Sequence, residues 1–215
     1  MNQNNILQII KKRSSHRKFL EEEVPTKDIK EMVKAAGLAP SGHNLQPWHF
    51  IAIKNKILIN EIAEETINNV RKLYPLLSEE TVDKFGKYEF FIDHFKTAPL
   101  LIVVTGKTVP YFSSKLESKY NVKLDERKLF NMELLAIGGA IENLLLGATS
   151  MGYGTCWLTE PVYYAQKVLE NKLKIKDEYH VVSILAIGKP TKERKKQARK
   201  DLQEIVDKSL ELSET

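Results

Sequence analysis

The sequence predicts a mixed fold in which helices outnumber strands. Short apolar runs of β-forming residues alternate along the chain with longer segments of helical periodicity. The segment MELLAIGGAIENLLLGA is apolar on nearly every side, which is typical of a helix at the centre of a fold or at an obligate interface. Because the 215 residues contain no repeat, low-complexity linker or Gly/Ser-rich boundary, we expect one domain over residues 1–215.

The first half of the chain divides into helices and strands at recognisable signals. An apolar stripe predicts a helix from Asn4 to Lys12. A second helix follows Pro25, with Thr26 as its expected cap and Gly37 at its end. Two further helices are predicted over 56–73 and 79–97, and two strands over 48–54 and 100–105. The second strand, LLIVVT, is continuously apolar, which fits a strand buried on both faces.

The second half begins with an irregular segment, residues 107–124, that we expect to be a surface excursion near a site. A long apolar helix is predicted from about Asp125 to Ser150, and Gly138 and Gly139 in its middle predict close packing by a backbone or a flat ligand. A turn and strand over 152–158, a helix from Pro161 to about residue 173 and a strand over 181–188 complete the chain. So much apolar helix surface predicts an oligomer, most simply a twofold dimer.

The net charge of +5 is concentrated in one short segment. Residues 189–200 carry seven basic side chains and one acidic one, a local charge of +6, so the other 203 residues carry −1. This segment contains no aromatic residue for base stacking, and we therefore expect no nucleic-acid partner. Two interpretations stay open, a solvated charge run and a small anion site such as one for a phosphate.

Composition also constrains location and chemistry. The single cysteine, Cys156, excludes an internal disulfide and is expected to be a buried structural thiol. No apolar run reaches about 18 residues and no cleavage site follows the N-terminus, so we expect no membrane span, no signal peptide and a cytoplasmic protein. The five histidines lack the spacing of a zinc site, and we expect no metal.

Three segments carry candidate binding residues. RSSHRKF places Arg13, Ser14, Ser15 and Arg17 within five residues, a dense set of donors suited to phosphate or a planar carbonyl edge, although a solvated helix exit is an equal alternative. APSGHNLQPWHF presents the neutral polar side chains of Ser41, Asn44 and Gln46. GYGTCWLTEP has two glycines but leads into a strand instead of a helix, which excludes a dinucleotide-binding fingerprint.

In this order the three segments resemble the nitroreductase family of FMN-dependent oxidoreductases over nearly the whole chain. The resemblance rests on the order of RSSHRKF, APSGHNLQPWHF, GYGTCWL, IGKP and a C-terminal arginine. It implies an α+β fold, with a central, mainly antiparallel sheet surrounded by helices. It also implies an intertwined homodimer with two FMN sites at the interface.

The resemblance also implies roles for individual residues. Arg13 and Ser15 would hold the phosphate and ribityl end, with Ser14 beside them, and Arg17 would lie near the pyrimidine edge of the flavin. The partner subunit would supply the loop residues, which are Pro40, Ser41, Asn44 and Gln46. Leu158 and Thr159 would lie along the isoalloxazine, and Arg199 would meet the phosphate. At Thr159 and Glu160 this sequence departs from the glycine-containing turn of many relatives.

The function implied is a ping-pong transfer of electrons from NAD(P)H through FMN to a small oxidised acceptor, such as a nitroaromatic, a quinone or a flavin. Because the flavin carries the chemistry, no side chain is assigned as a catalytic acid or base. A flavin-binding storage or sensor protein without turnover is the alternative from another class. A nucleic-acid binder that uses residues 189–200 is a third hypothesis, which predicts steeply salt-dependent binding.

Overall fold

The computed structural model describes residues 4–107, 119–120, 132–192 and 197–206. Within these residues four strands form one antiparallel sheet in the order β1-β2-β4-β3. The strands are β1 (Trp48–Ile53), β2 (Leu100–Lys107), β3 (Gly154–Leu158) and β4 (Tyr179–Gly188). β2 and β4 therefore lie at the centre, while β1 and β3 are the two edges.

The helices pack on both faces of this sheet. They are α1 (Asn4–Lys12), α2 (Thr26–Gly37), α3 (Lys56–Arg71), α4 (Glu79–Asp93), α5 (Met132–Ser150), α6 (Glu160–Leu173) and the short α7 (Leu202–Ile205). One face contacts α3 and α6, and the other contacts α2 and α5. This is the α+β arrangement of helices around an antiparallel sheet that the resemblance implies.

Strand β2 shows why its sequence is continuously apolar. Leu101 and Val103 pack into the core beneath α3 and α6, whereas Leu100, Ile102 and Val104 pack into the core beneath α2 and α5. All five side chains are fully buried. Since successive strand residues face opposite sides, a strand covered on both faces needs apolar residues at every position, and the prediction for LLIVVT is confirmed.

Helix α5 is the partly buried core helix of this fold. It is 19 residues long and apolar enough to span a membrane by length and composition, a test that the core helices of globular proteins also pass. Its inward positions, which include Ala140, Ile141, Leu144 and Leu145, are fully buried against α2 and the sheet, as in the central helix of a globular domain. Residues 125–131, the start of the predicted helix, lie outside the described residues, as does most of the predicted excursion.

The close approach expected at Gly138 and Gly139 lies elsewhere in this protomer. A Cβ at Gly138 would come no nearer than 3.9 Å to the Trp157 ring, which is ordinary contact. At Gly147 a Cβ would lie 3.2 Å from the Ala35 Cβ, so this glycine lets α2 and α5 cross closely. Gly139 has the same open spacing as Gly138, with Ala39 as its neighbour at 3.9 Å.

Several predicted helix ends were wrong by a few residues. Thr26 is the first residue of α2 and does not cap it, because Pro25 occupies the capping position. The helix predicted over 79–97 ends at Asp93 and continues as a 3₁₀ turn, His94–Thr97. A further 3₁₀ turn, Tyr74–Leu76, follows α3, which ends at Arg71.

Candidate functional site

The candidate site begins where α1 ends. We call residues 13–17 the arginine segment. The Arg13 amide donates to the Ile9 carbonyl at 2.9 Å, which extends the helical hydrogen bonding by one residue and aims the side chain at α5. There Arg13 Nε lies 3.7 Å from Oε1 of Glu142. Burial raises the pKa of the Glu142 carboxyl, and the Arg13 charge opposes that rise.

The middle of the arginine segment lies along the edge strand β3. Ser15 forms a parallel bridge with Thr155, and the His16 amide donates to the Thr155 carbonyl at 2.7 Å. Gly154 makes room for this contact, because a Cβ there would lie 2.9 Å from Cγ of His16. The His16 Nε2 and the Ser14 hydroxyl are hydrogen-bonded at 2.9 Å, so one imidazole orients the first serine of the segment.

Arg17 lies over the corner where α4 ends. Its guanidinium carbon lies 5.5 Å from the centroid of the Phe91 ring, within the range of a cation–π interaction. The Thr97 hydroxyl is 3.2 Å from the Arg17 carbonyl and 2.9 Å from the His94 carbonyl, and it can donate to either. Phe91 thus contacts the side chain of Arg17, and Thr97 contacts its backbone.

Two buried polar atoms next to this segment lack a hydrogen-bond partner among the described residues. They are Nε of Arg17 and Oγ1 of Thr155. Thr155 is only 1% exposed, and it is the residue that pairs with Ser15. Because buried polar groups in folded proteins are nearly always satisfied, these two atoms are available to a bound polar ligand or to water. A phosphorylated, planar heterocycle fits the donors, which are two guanidiniums and three hydroxyls.

A buried imidazole lies behind Arg17. His94 is 2% exposed, with Nδ1 3.2 Å from the Phe91 carbonyl and Nε2 3.5 Å from Sγ of Cys156. Burial, and then the Arg17 charge, lower the pKa of His94 to about 4. His94 is therefore neutral near pH 7. Cys156 is itself 2% exposed, which confirms that it is a buried structural thiol.

The residues at the end of β3 differ in orientation. The Leu158 side chain is buried in the core beneath α3 and α6, and its carbonyl accepts from the Ser183 hydroxyl at 2.9 Å. Thr159 is exposed at the start of α6 and makes no capping hydrogen bond. Trp157, on the other side of the strand, is 38% exposed and lies against Gly138. Of these residues, Leu158 can therefore face a ligand only through its backbone.

The second sequence cluster forms an exposed loop, which we call the amide loop (residues 40–46). His43, Asn44 and Gln46 all have positive φ values, of 51°, 55° and 45°. The Ser41 hydroxyl accepts from the Gln46 amide at 3.0 Å, and the Gln46 side chain donates to Oδ1 of Asn44 at 3.1 Å. The polar side chains are thus bonded to one another, and the loop presents them to solvent.

The remaining predicted residue, Arg199, lies in an exposed stretch before α7. It forms no hydrogen bond or ion pair with the described residues. The same basic segment contains Arg194 and Lys195, either of which could take the place of Arg199 at the phosphate, and both fall outside the described residues. The structure thus brings Arg13, Ser14, Ser15 and Arg17 together in one protomer, and it leaves Arg199 and the amide loop without contacts to them.

The pattern that defines the nitroreductase family matches residues 10–189. This chain belongs to the nitroreductase family. The match includes both the arginine segment and the amide loop, and it ends directly after β4. The family relationship assigns the chain to the flavin oxidoreductases, whose members bind FMN and use NAD(P)H with small oxidants.

Individual relatives show how varied the family is. A BluB-like flavoprotein from Clostridium difficile 630 superimposes with a TM-score of 0.86 at 32% identity, over 94% of this chain and 98% of that chain. An iodotyrosine deiodinase from Thermotoga neapolitana is 28% identical, over 90% of this chain and 93% of its own length. An oxygen-insensitive NADPH nitroreductase from Helicobacter acinonychis is 24% identical, over 81% of this chain and 82% of its own length.

A structure of a Desulfovibrio desulfuricans nitroreductase homologue in complex with FMN shares the fold of this chain. Its TM-score is 0.66 at 23% identity, over 95% of this chain and 96% of that chain. Relatives with different named activities therefore share one framework, and the acceptor used by this chain does not follow from the fold.

Three residues of the site were missed in the sequence. Thr155 lies in an apolar strand pattern, and its place in the site follows only from the bridge that it forms with Ser15. Phe91 and His94 lie about 75 residues after Arg17 and meet it only through the packing of α4. The sequence signal for this corner was the adjacent pair of aromatic residues, Phe90 and Phe91. In the structure each of them is 43% exposed near the end of α4.

Proposed function

We propose that this protein is an FMN-dependent oxidoreductase that transfers electrons from NAD(P)H to a small oxidised organic acceptor such as a nitroaromatic, a quinone or a flavin. The observation that carries the proposal is the pair of unpartnered buried atoms, Arg17 Nε and Thr155 Oγ1, beside the donors of the arginine segment. FMN, when bound, supplies the hydride and electron transfer, and the protein supplies its position and electrostatics.

The arginine segment would hold the charged end of the cofactor. Arg13, Ser14 and Ser15 would bind the phosphate and the ribityl chain, and Arg199 would add a second charge at the phosphate. A guanidinium suits a phosphate because it donates two parallel, charge-assisted hydrogen bonds. The separation of Arg13 Nε from Glu142 is 3.7 Å, long for a hydrogen bond, which leaves the guanidinium able to take a better acceptor.

Arg17 would lie at the pyrimidine edge of the ring system. A fixed positive charge there favours the extra negative charge that reduction brings, and so makes reduction by NAD(P)H easier. Thr159 and the backbone of Leu158 would lie along the ring. The exposed position of Thr159, at the end of β3, supports that assignment.

The complete site would require a homodimer, in which the partner subunit supplies Pro40, Ser41, Asn44 and Gln46. Two observations support this. The amide loop makes its polar contacts within itself, and large apolar side chains near it and on the central helix remain exposed in one protomer. These include Leu38 at 83% and Leu135 at 76%, and Ile6 on α1 is also 60% exposed. We also propose that residues 1–215 form one domain, of which the family match covers 10–189.

Absorption and stopped-flow measurements test the function. The purified protein should be yellow with the absorption bands of bound flavin, and mixing with NADH or NADPH under anaerobic conditions should bleach them. Addition of a quinone should then restore the colour. Flavin that binds but is bleached by neither nucleotide would exclude the oxidoreductase and leave a storage or sensor protein.

Sedimentation measurements test the dimer separately. The wild-type protein should sediment as a dimer at micromolar concentration, and Leu135→Glu should shift it toward monomer with loss of FMN. Lys34→Glu is the control, because Lys34 is exposed and, in the part of the chain that the structure describes, forms an ion pair only with Glu31 of its own helix. A wild-type monomer with full flavin occupancy would overturn the shared site.

A further inference from the structure

The corner after α4 contacts Arg17 at two points, and the buried His94 lies next to both of them. Phe91 supplies the ring face under the guanidinium, at 5.5 Å from its centroid. Thr97 can donate to the Arg17 carbonyl, and His94 packs behind both. None of these three residues belongs to the segments that carry the family resemblance, and each comes from the α4 end, about 80 residues from Arg17.

The Phe91 ring is the part of this corner that touches the charge itself. Nε of Arg17 is buried without a partner among the described residues, so no hydrogen bond at that atom fixes the orientation of the guanidinium. A cation–π interaction attracts the guanidinium to the ring without using any of its N–H donors. The Phe91 ring therefore helps to hold the Arg17 charge in place and leaves those donors for a ligand.

His94 fixes Phe91 in turn. The Phe91 carbonyl can only accept, so Nδ1 of His94 carries the proton of their 3.2 Å hydrogen bond. Nε2 is then the acceptor, and the thiol of Cys156 on β3 donates to it at 3.5 Å. The imidazole thus links the end of α4 to the strand that runs beside the arginine segment. Its low pKa keeps it neutral, so it adds no second positive charge behind Arg17.

We propose that Phe91 and His94 are positioning residues that hold the Arg17 guanidinium against the flavin site, so that they strengthen FMN binding and raise the reduction potential of the bound flavin. The inference rests on the proposed function, in which Arg17 touches FMN. It extends that function by assigning the electrostatics of the site to a helix end remote in sequence.

Phe91→Leu tests the cation–π contact between Phe91 and Arg17, and two matched variants accompany it. Phe91→Tyr keeps the ring face. Phe90→Leu is the control for lost aromatic packing, because the Phe90 ring is equally exposed at 43% and lies 5.6 Å from the Phe91 ring and 5.7 Å from the His94 ring, whereas the cation–π contact of Arg17 is made to Phe91. We expect Phe91→Leu to weaken FMN binding about fivefold, the scale of one partly exposed cation–π contact. It should also lower the flavin midpoint potential, while Phe91→Tyr and Phe90→Leu stay near wild type.

Two further measurements separate positioning from general damage. In the apoprotein, the Arg17 Nε–H resonance, assigned by its loss in Arg17→Lys, should exchange with solvent faster in Phe91→Leu than in Phe90→Leu. His94→Gln, which keeps a donor for the Phe91 carbonyl, should preserve the potential better than His94→Leu. If Phe91→Leu changes neither the potential nor the exchange rate, the positioning role is wrong.

Arg17→Ala distinguishes a failure of the proposed FMN site from a failure of the positioning role of Phe91. If Arg17→Ala leaves FMN affinity and potential unchanged, then Arg17 is not at the flavin and the proposed site fails. If Arg17→Ala lowers both and Phe91→Leu lowers neither, then the proposed site stands and the positioning inference fails. Loss in both variants, with rescue by Phe91→Tyr, supports both.

Discussion

The arginine segment and the amide loop are both polar, but the fold treats them in opposite ways. The arginine segment bridges Thr155, packs His16 on Gly154 and rests Arg17 on Phe91, so it is fixed on three sides. The amide loop holds three residues with positive φ and bonds its polar groups to one another at the surface. The arginine segment is thus assembled within one protomer, whereas the amide loop makes no contact with it there and would reach the site only in the proposed dimer.

The largest expected effect comes from removing two of the charges that are proposed to bind the phosphate, Arg13 of the arginine segment and Arg199. The double variant Arg13→Ala/Arg199→Ala should weaken FMN binding by about a hundredfold or more, since each charge-assisted hydrogen bond is worth roughly 1.5–3 kcal/mol. Flavin fluorescence quenching on titration into apoprotein measures this affinity. Lys11→Ala, an exposed change two residues before Arg13, is the control, and full flavin occupancy in the double variant would contradict the assignment.

His94 should make the stability of the protein sensitive to acid. The pKa of His94 is about 4 in the folded protein against an ordinary 6.5, so the unfolded chain binds more protons between these values. The free energy of unfolding should therefore fall by roughly 3 kcal/mol as the pH drops from 6.5 to 4, and this effect should be absent above pH 6.5. Arg17 and Asp93 are the charged neighbours, and they act on this pKa in opposite directions.

Urea unfolding at a series of pH values measures this dependence. His94→Gln should flatten the curve between pH 4 and 6.5, because glutamine does not titrate. A variant that keeps the full wild-type slope would show that other groups cause the acid sensitivity.

The contact between the arginine segment and β3 should tolerate little added volume. In Gly154→Ala the new Cβ would lie 2.9 Å from the His16 ring and 3.1 Å from Pro190, so we expect a loss of about 1–3 kcal/mol of stability from overpacking. Gly138→Ala is the matched control, because its Cβ would meet only Trp157 at 3.9 Å. Equal thermal midpoints for the two variants would show that the His16 contact yields freely.

The smallest effect tests the strain of the amide loop. His43 has φ 51°, and its exposed side chain makes no hydrogen bond within the described residues, so His43→Gly should stabilise the protein by about 0.5–1 kcal/mol. His43→Ala keeps the Cβ at the same φ and should give no gain. Chemical denaturation of both variants measures the difference, and a gain with alanine alone would contradict the strain.

How much of this was predictable depends on the distance over which each feature is encoded. β2 was predictable because a strand buried on both faces requires apolar side chains at successive positions, as in LLIVVT. The arginine segment was predictable because four donors lie within five residues. Phe91 was not, since its contact with Arg17 depends on how α4 packs. The positive φ values at His43 and Gln46 also escaped prediction, because positive φ is uncommon for every residue type except glycine.

The crossing of α2 and α5 at Gly147 has a geometric consequence for the amide loop. α2 ends at Gly37, and Ala39, which lies against Gly139 of α5, leads directly into the loop. The absence of a side chain at Gly147 therefore sets how closely α2 approaches α5, because a Cβ there would lie 3.2 Å from the Ala35 Cβ. Since the amide loop follows directly after α2, this approach would also set where the loop meets the other subunit of the proposed dimer, although Gly147 itself lies outside the site.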